Sequence, residues 1–103
     1  MNRNILDSVC TLFKKGAEVN REATYTAVSF PCHWEQRQGS YRTTEGEDSA
    51  YSLEMICNYP NISKGDKLAY GIETTLPDNA YTVVYVDALP LRGKIHHYEV
   101  YAK

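Results

Sequence analysis

Residues 51–59 alternate with a period of two. Tyr51, Leu53, Met55, Cys57 and Tyr59 fall on one side, Ser52, Glu54, Ile56 and Asn58 on the other. Successive side chains of an extended chain point to opposite faces, so this stretch is predicted as a strand with one face on a core and one in water.

Other segments carry the same signature. Val28, Phe30, Cys32 and Trp34 share a face opposite Ala27, Ser29, Pro31 and His33. Pro31 has no N–H for a ladder, which predicts a bulge or an edge at that point. Tyr81-Thr82-Val83-Val84-Tyr85-Val86 is β-branched and aromatic throughout, as in a strand covered on both faces. Residues 94–103 set His96, Tyr98, Val100 and Ala102 against Ile95, His97, Glu99 and Tyr101, and Lys67-Leu68-Ala69-Tyr70 is a shorter candidate. Turn-like punctuation separates the segments: Lys15-Gly16, Gln38-Gly39-Ser40, Glu45-Gly46, Asn58-Tyr59-Pro60-Asn61, Lys64-Gly65-Asp66, Leu76-Pro77-Asp78-Asn79 and Arg92-Gly93. Short strands between frequent breakers predict one mainly β domain over residues 1–103, a small antiparallel barrel or sandwich of about six strands.

Two stretches resist this reading. Near the N-terminus Ile5, Val9, Leu12 and Phe13 fall at helical spacing, with Asn4 or Asp7 placed to cap, yet residues 9–13 also suit a short strand. Residues 38–50 are polar and lack apolar periodicity, which predicts a long projecting loop. Gln38, Ser40, Tyr41, Arg42, Glu45, Glu47 and Asp48 are its candidate contact residues.

Composition limits function. The chain is 43% apolar and 23% charged, which excludes a collagen-like chain and argues against wholesale disorder. Its 11 basic and 13 acidic side chains give a net charge of -2, a poor basis for gripping phosphates. Acid and base are unevenly spread: Glu45, Glu47, Asp48 and Glu54 stand without a base in residues 43–60, while Arg92, Lys94 and Lys103 outnumber Glu99 in the tail. This predicts acidic and basic patches on different sides of one body. There is no long apolar run to cross a membrane, and the first residues lack the apolar stretch of a secretory signal.

Chemistry finds little support. Cys10, Cys32, His33, Cys57, His96 and His97 are the available metal ligands, but no Cys-x-x-Cys or His-x-x-x-His pairs them. Adjacent residues such as Cys32-His33 and His96-His97 point to opposite faces of a strand. Cys32 and Cys57 lie on apolar faces, which predicts inert buried thiols rather than nucleophiles. Three cysteines fit a reducing compartment better than a disulfide framework. No phosphate-cradling glycine loop is present, and Asn61-Ile62-Ser63 matches a glycosylation sequon without the secretory signal that would give it meaning. No metal or cofactor is therefore expected. Tyrosine is abundant, 9 against 2 phenylalanines and 1 tryptophan. Exposed aromatics on a small barrel can stack bases, which makes a ligand- or single-strand-binding module the alternative reading.

The order of these landmarks resembles that of small neck proteins of tailed phages and prophages of Gram-positive hosts, the head–tail connector, head-closure or minor capsid proteins. Cys10-Thr11-Leu12-Phe13-Lys14-Lys15 resembles their opening strand, and Cys32-His33-Trp34-Glu35-Gln36-Arg37-Gln38-Gly39 a strand end before a long loop. Tyr51-Ser52-Leu53-Glu54-Met55-Ile56-Cys57, Gly65-Asp66-Lys67-Leu68-Ala69-Tyr70-Gly71, Tyr81-Thr82-Val83-Val84-Tyr85-Val86-Asp87 and His97-Tyr98-Glu99-Val100-Tyr101-Ala102-Lys103 are similar to the strands that follow. The resemblance turns the N-terminal expectation from helix to strand. It implies a non-enzymatic barrel that is made in the bacterial cytoplasm and built into the virion neck. There it would join portal or adaptor to tail-completion proteins as a homo-oligomeric ring, monomeric when isolated. DNA would pass through without specific binding. Residues 38–50 become the assembly or lumen element, with Tyr70, His96 and His97 as further contacts. A mildly acidic lumen repels phosphate. Tyr51, Tyr59, Tyr81, Tyr85, Tyr98 and Tyr101 fall on candidate strands or their ends, leaving Tyr25, Tyr41 and Tyr70 freer for contacts.

Overall fold

The structure, a computed structural model, describes residues 6–42, 46, 48–91 and 94–103. Six strands follow one another: β1 Ser8–Val19, β2 Glu22–Arg42, β3 Asp48–Cys57, β4 Lys67–Tyr70, β5 Tyr81–Leu91 and β6 Lys94–Ala102. All pairings are antiparallel, and the order β1-β2-β3-β6-β5-β4 closes on itself through β4 and β1. The protein is therefore a small closed β-barrel. No helix among the described residues is long and apolar enough to cross a membrane.

The alternating residues fill the interior. Every strand contributes: Cys10 and Leu12, Phe30 and Cys32, Leu53, Met55 and Cys57, Leu68, Val83, Val100 and Ala102, with Ile62 added from the β3–β4 connection. In a barrel this narrow, side chains fill the middle of the lumen. Fully burying a leucine, valine or methionine is worth about 1.5–3 kcal/mol each, so this layer dominates the stability.

The N-terminal segment is a strand. Residues 8–13 are held on both sides, by β2 and by β4, and that pairing overrides the helical spacing. It buries more than one face. Thr11 and Phe13 point away from the lumen yet are 0% and 2% exposed, and the β4–β5 connection returns over Thr11. Thr11 Oγ1 donates to the Gly71 carbonyl at 2.7 Å and accepts from the Glu73 N–H at 3.0 Å.

β2 is 21 residues long, a contour of about 70 Å at 3.3 Å per residue. The whole molecule spans only 44 × 33 × 27 Å, so β2 must coil. It does so by changing partners: residues 22–32 pair with β1 and residues 32–42 with β3. Pro31 sits at that exchange. Its register with Val9 is continuous, so the bulge alternative fails; the β3 ladder starts only at Cys32, which leaves Pro31 on a locally open edge.

Within the polar stretch 38–50, residues 38–42 and 48–50 are strand rather than loop, and residues 43–45 and 47 lie outside the described residues. Ser40 pairs with Ala50, Tyr41 with Ser49 and Arg42 with Asp48, extending β2 and β3 into a two-stranded arm. Both its faces are largely in water, so no apolar alternation marks it. Lys15-Gly16 is likewise not a turn but a bulge, and β1 runs on to a two-residue turn at Asn20 and Arg21. Both turn residues have positive φ, 53° and 68°, the handedness of a type I′ hairpin. β5 and β6 form a third arm, paired out to Leu91 and Lys94. The arms lengthen the molecule: its radius of gyration is 14.0 Å, against about 13 Å for a compact chain of this size.

One corner locks the base of the barrel. Asp66 is 2% exposed and accepts from the backbone N–H of Ser63 at 2.9 Å and of Lys15 at 3.0 Å, and from Lys14 Nζ at 3.0 Å. Its own carbonyl accepts from Val83 N–H, and Gly65 N–H donates back to Val83, so β1, the tight turn and β5 meet there. Gly65 has φ 98°, a conformation that favours glycine. The seam between β4 and β5 is short by contrast, with two pairs, Lys67 to Thr82 and Leu68 to Tyr81.

Candidate functional site

The register puts the arms at opposite ends. The β1–β2 and β5–β6 arms extend past Cys57, where β3 ends, and the β2–β3 arm extends the other way. The first end is plugged by residues 58–66, with Tyr59 stacked on Phe30 at 4.7 Å and Ile62 buried. The second end is open and holds a cleft of about 650 Å³.

Inward-facing aromatics build that cleft because the barrel runs out of partners above them. Trp34 follows Cys32 on β2, Tyr70 follows Leu68 on β4, and Tyr81 pairs with Leu68. The tyrosine rings stand edgewise to the indole, with centroids 5.4 Å and 5.7 Å away at 66° and 75°. This is a favoured aromatic geometry. Gln36 Nε2 donates to the Tyr81 hydroxyl. Ser8, Glu73, Pro77 and Asn79 complete the rim. Tyr70 stays 59% exposed. No lysine or arginine among the described residues lines the cleft. Beside it, Asp7 lies 3.3 Å from His33 Nδ1, and that hydrogen bond holds its carboxyl below the usual carboxylate range.

The residues of the predicted loop line the β2–β3 arm. Gln38 lies in the bulge between Gln36 and Gly39, beside a second cleft of about 340 Å³. The Tyr51 ring covers Gly39 so closely that a β-carbon there would lie 2.5 Å from Tyr51 Cζ. Arg42 pairs with Asp48 at 3.5 Å and donates to the Gly46 carbonyl at 3.0 Å, both on the exposed arm. Ser40 is exposed, and the Tyr41 backbone pairs with Ser49, its side chain lying outside the described residues. Glu45 and Glu47 lie outside the described residues altogether. The His96 backbone forms a one-residue bulge in β6, its side chain outside the description, and His97 is half-buried opposite Leu89. The arm residues, Tyr70 and the two histidines are thus spread over several places rather than brought into one site. Trp34 and Tyr81, read from sequence as sheet residues, are the ones that join Tyr70.

An acidic, tyrosine-bearing face covers β2, β3, β6 and β5. Glu35 lies opposite Glu54 and Glu99 opposite Asp87, with Arg37 reaching Glu54 at 3.3 Å and Glu35 at 3.7 Å. Tyr51, Tyr101 and Tyr85 follow one another at 4.8 Å and 5.9 Å. Burial and the hydrogen bond to Glu99 push the Tyr101 hydroxyl pKa up.

The three cysteines do converge, which spacing in sequence did not indicate. All are free, fully buried and inward-facing on the neighbouring strands β1, β2 and β3, with Cys32 directly opposite Cys57. The contact with Cys32 and burial push the Cys10 thiol up, and burial pushes Cys57 up to about 11. Held neutral in the sealed barrel, Cys10 and Cys57 are poor nucleophiles. Among the described residues no group of three ligating side chains has the geometry to hold a metal.

No protein-family model matches the chain, and no curated protein or solved structure matches it either.

Proposed function

We propose that the chain is a structural subunit of a tailed-phage neck, a head–tail connector of the head-closure kind. The observation that carries this reading is the pairing of a rigid barrel with two-stranded arms at both ends. A ring subunit must present two different surfaces, one to each neighbour, and arms at opposite ends supply them. Their unpaired ribbon edges suit strand addition. The order of sequence landmarks supports the same reading, and so does the acidic outer face, which would not grip DNA passing through a ring. The role is non-catalytic. Its partners are portal or adaptor and tail-completion proteins, and its place is the virion neck after assembly in the bacterial cytoplasm.

The test removes the β2–β3 arm. Deleting residues 40–49 leaves the pairs Cys32 to Cys57 through Gln36 to Leu53, and thus the barrel, intact. The variant should melt cooperatively near the parent temperature, while phage carrying it should yield heads that lose their DNA or lack tails. Infectious, DNA-retaining particles made with the folded variant would overturn the proposal.

One observation favours a second reading, a small-barrel binding module: the aromatic cleft at the open mouth. A salt-dependent titration with oligonucleotides separates the two. Micromolar or tighter binding at physiological salt would replace the neck reading with single-strand binding.

A further inference from the structure

We infer that the cleft bounded by Trp34, Tyr70 and Tyr81 is a docking site for an arginine side chain presented by an extended segment of a partner protein. Three features of the site converge on that occupant. The first is the aromatic walls. A guanidinium is planar and weakly hydrated, and it stacks on the faces of Trp and Tyr. With both tyrosines edgewise to Trp34, the exposed face of Tyr70 is free to act as such a platform.

Charge is the second feature. Among the described residues Glu73 is the only formally charged side chain lining the cleft, so a cation entering it meets a carboxylate and no competing base among them. An anionic group would find no cation to pair with. This separates the site from a base-stacking groove, which tracks a phosphate backbone with basic residues.

Hydrogen bonding and size form the third. A guanidinium carries five N–H donors and needs acceptors around it. Gln36, which donates one Nε2 hydrogen to the Tyr81 hydroxyl, lines the cleft and carries an amide oxygen that can accept. Glu73 and Asn79 add acceptors at the rim. A volume of about 650 Å³ exceeds one side chain and has room for flanking backbone. The occupant is therefore a peptide segment rather than a free small cation. The mouth lies at the same end as the β2–β3 arm, so a partner reaching that arm also reaches the cleft.

The chain has 1 tryptophan, so its fluorescence reports this site alone. Three blocked alanine-based pentapeptides, centred on arginine, citrulline or glutamate, are titrated against the intact protein. The arginine peptide should change Trp34 emission saturably, with a dissociation constant up to about 1 mM. Citrulline should bind about tenfold more weakly, and glutamate should produce no response. Tyr70→Leu should weaken arginine binding about tenfold without moving the melting temperature, since this side chain is mostly in water. Tyr85→Leu, on the outer face away from the cleft, should leave binding unchanged.

The inference fails if the arginine peptide gives no saturable response up to about 10 mM, or if citrulline binds equally well. It also fails if Tyr70→Leu binds as the parent does, or if an oligothymidine produces the same Tyr70-dependent response. This site does not rest on the neck reading. Failure here leaves the arm-deletion result untouched, and infectious particles in that experiment leave this titration untouched.

Discussion

Asp66 is the residue whose loss should cost most for its size. Asp66→Ala removes one carboxylate and leaves the N–H groups of Ser63 and Lys15 without their acceptor in the part-buried turn. Each orphaned donor costs about 1–3 kcal/mol. The ion pair adds less, because Lys14 is 28% exposed and can turn to water; about 1 kcal/mol is a fair ceiling for that half. The sum is about 4 kcal/mol, a large share of the about 5–15 kcal/mol that holds a domain together. At a slope of about 1.5 kcal/mol per molar urea, the unfolding midpoint should fall by about 2–3 M, followed by Trp34 fluorescence with the slope unchanged. Lys14→Met isolates the charge contribution and should cost about 1 kcal/mol or less. Asp66→Asn keeps one acceptor but turns an amide donor toward the other N–H, and should fall between the two. The reasoning is refuted if Asp66→Ala costs under about 1 kcal/mol, or if Lys14→Met costs as much as Asp66→Ala.

Further outcomes follow from the same geometry. Cys57 keeps its proton up to about pH 11 when folded, whereas the thiol of an unfolded chain ionises near 9.0, so its contribution is complete below pH 9 and is lost as pH rises toward 11. Urea unfolding under reductant should lose up to about 1.4 kcal/mol per pH unit per such thiol, and a Cys57→Ala variant with an unchanged slope would contradict this. Gly39→Ala drives a methyl group into the Tyr51 ring and should destabilise by about 1–3 kcal/mol, much of it recovered in a Gly39→Ala, Tyr51→Ala double variant; additive losses in that cycle would show that the two do not touch. Arg21→Gly relieves a left-handed residue in the β1–β2 turn and should raise stability by about 0.5–1 kcal/mol by thermal unfolding, whereas a loss would mean that the arginine side chain holds the turn.

The fold was legible wherever one face is buried and the other wet. Leu53, Met55 and Cys57 on β3, and Phe30 and Cys32 on β2, point inward as their alternation requires. Legibility ended where burial no longer distinguishes faces. The β2–β3 arm is wet on both sides, so Ser40 and Arg42 carry no period and read as loop. Thr11 and Phe13 are covered on both sides, so the alternation at β1 is blurred and a helix fits as well. The aromatic cleft was half visible. Tyr70 stood out as a contact residue, but Trp34 and Tyr81 carry strand signatures. Only closure of the barrel, which sets β2 across the open mouth from the end of β4 and the start of β5, brings the three rings together. The convergence of Cys10, Cys32 and Cys57 was hidden for the same reason: it depends on register between strands, which local spacing does not encode.

The short seam between β4 and β5 gives the mouth of the barrel a thermodynamic character of its own. Two ladder pairs, continued by the Gly65 and Asp66 bonds to Val83, close the cylinder there, and one of the pairs, Leu68 with Tyr81, also walls the cleft. Within the barrel wall, as distinct from the wet arms, the least protected opening is expected along this short ladder, so among the wall strands amide exchange should be fastest at β4. Whatever fills the cleft rests against both sides of the seam and holds it shut. Occupancy and closure are then one linked equilibrium: a bound partner raises the stability of the barrel, and any change that tightens the seam raises affinity in the cleft by the same free energy.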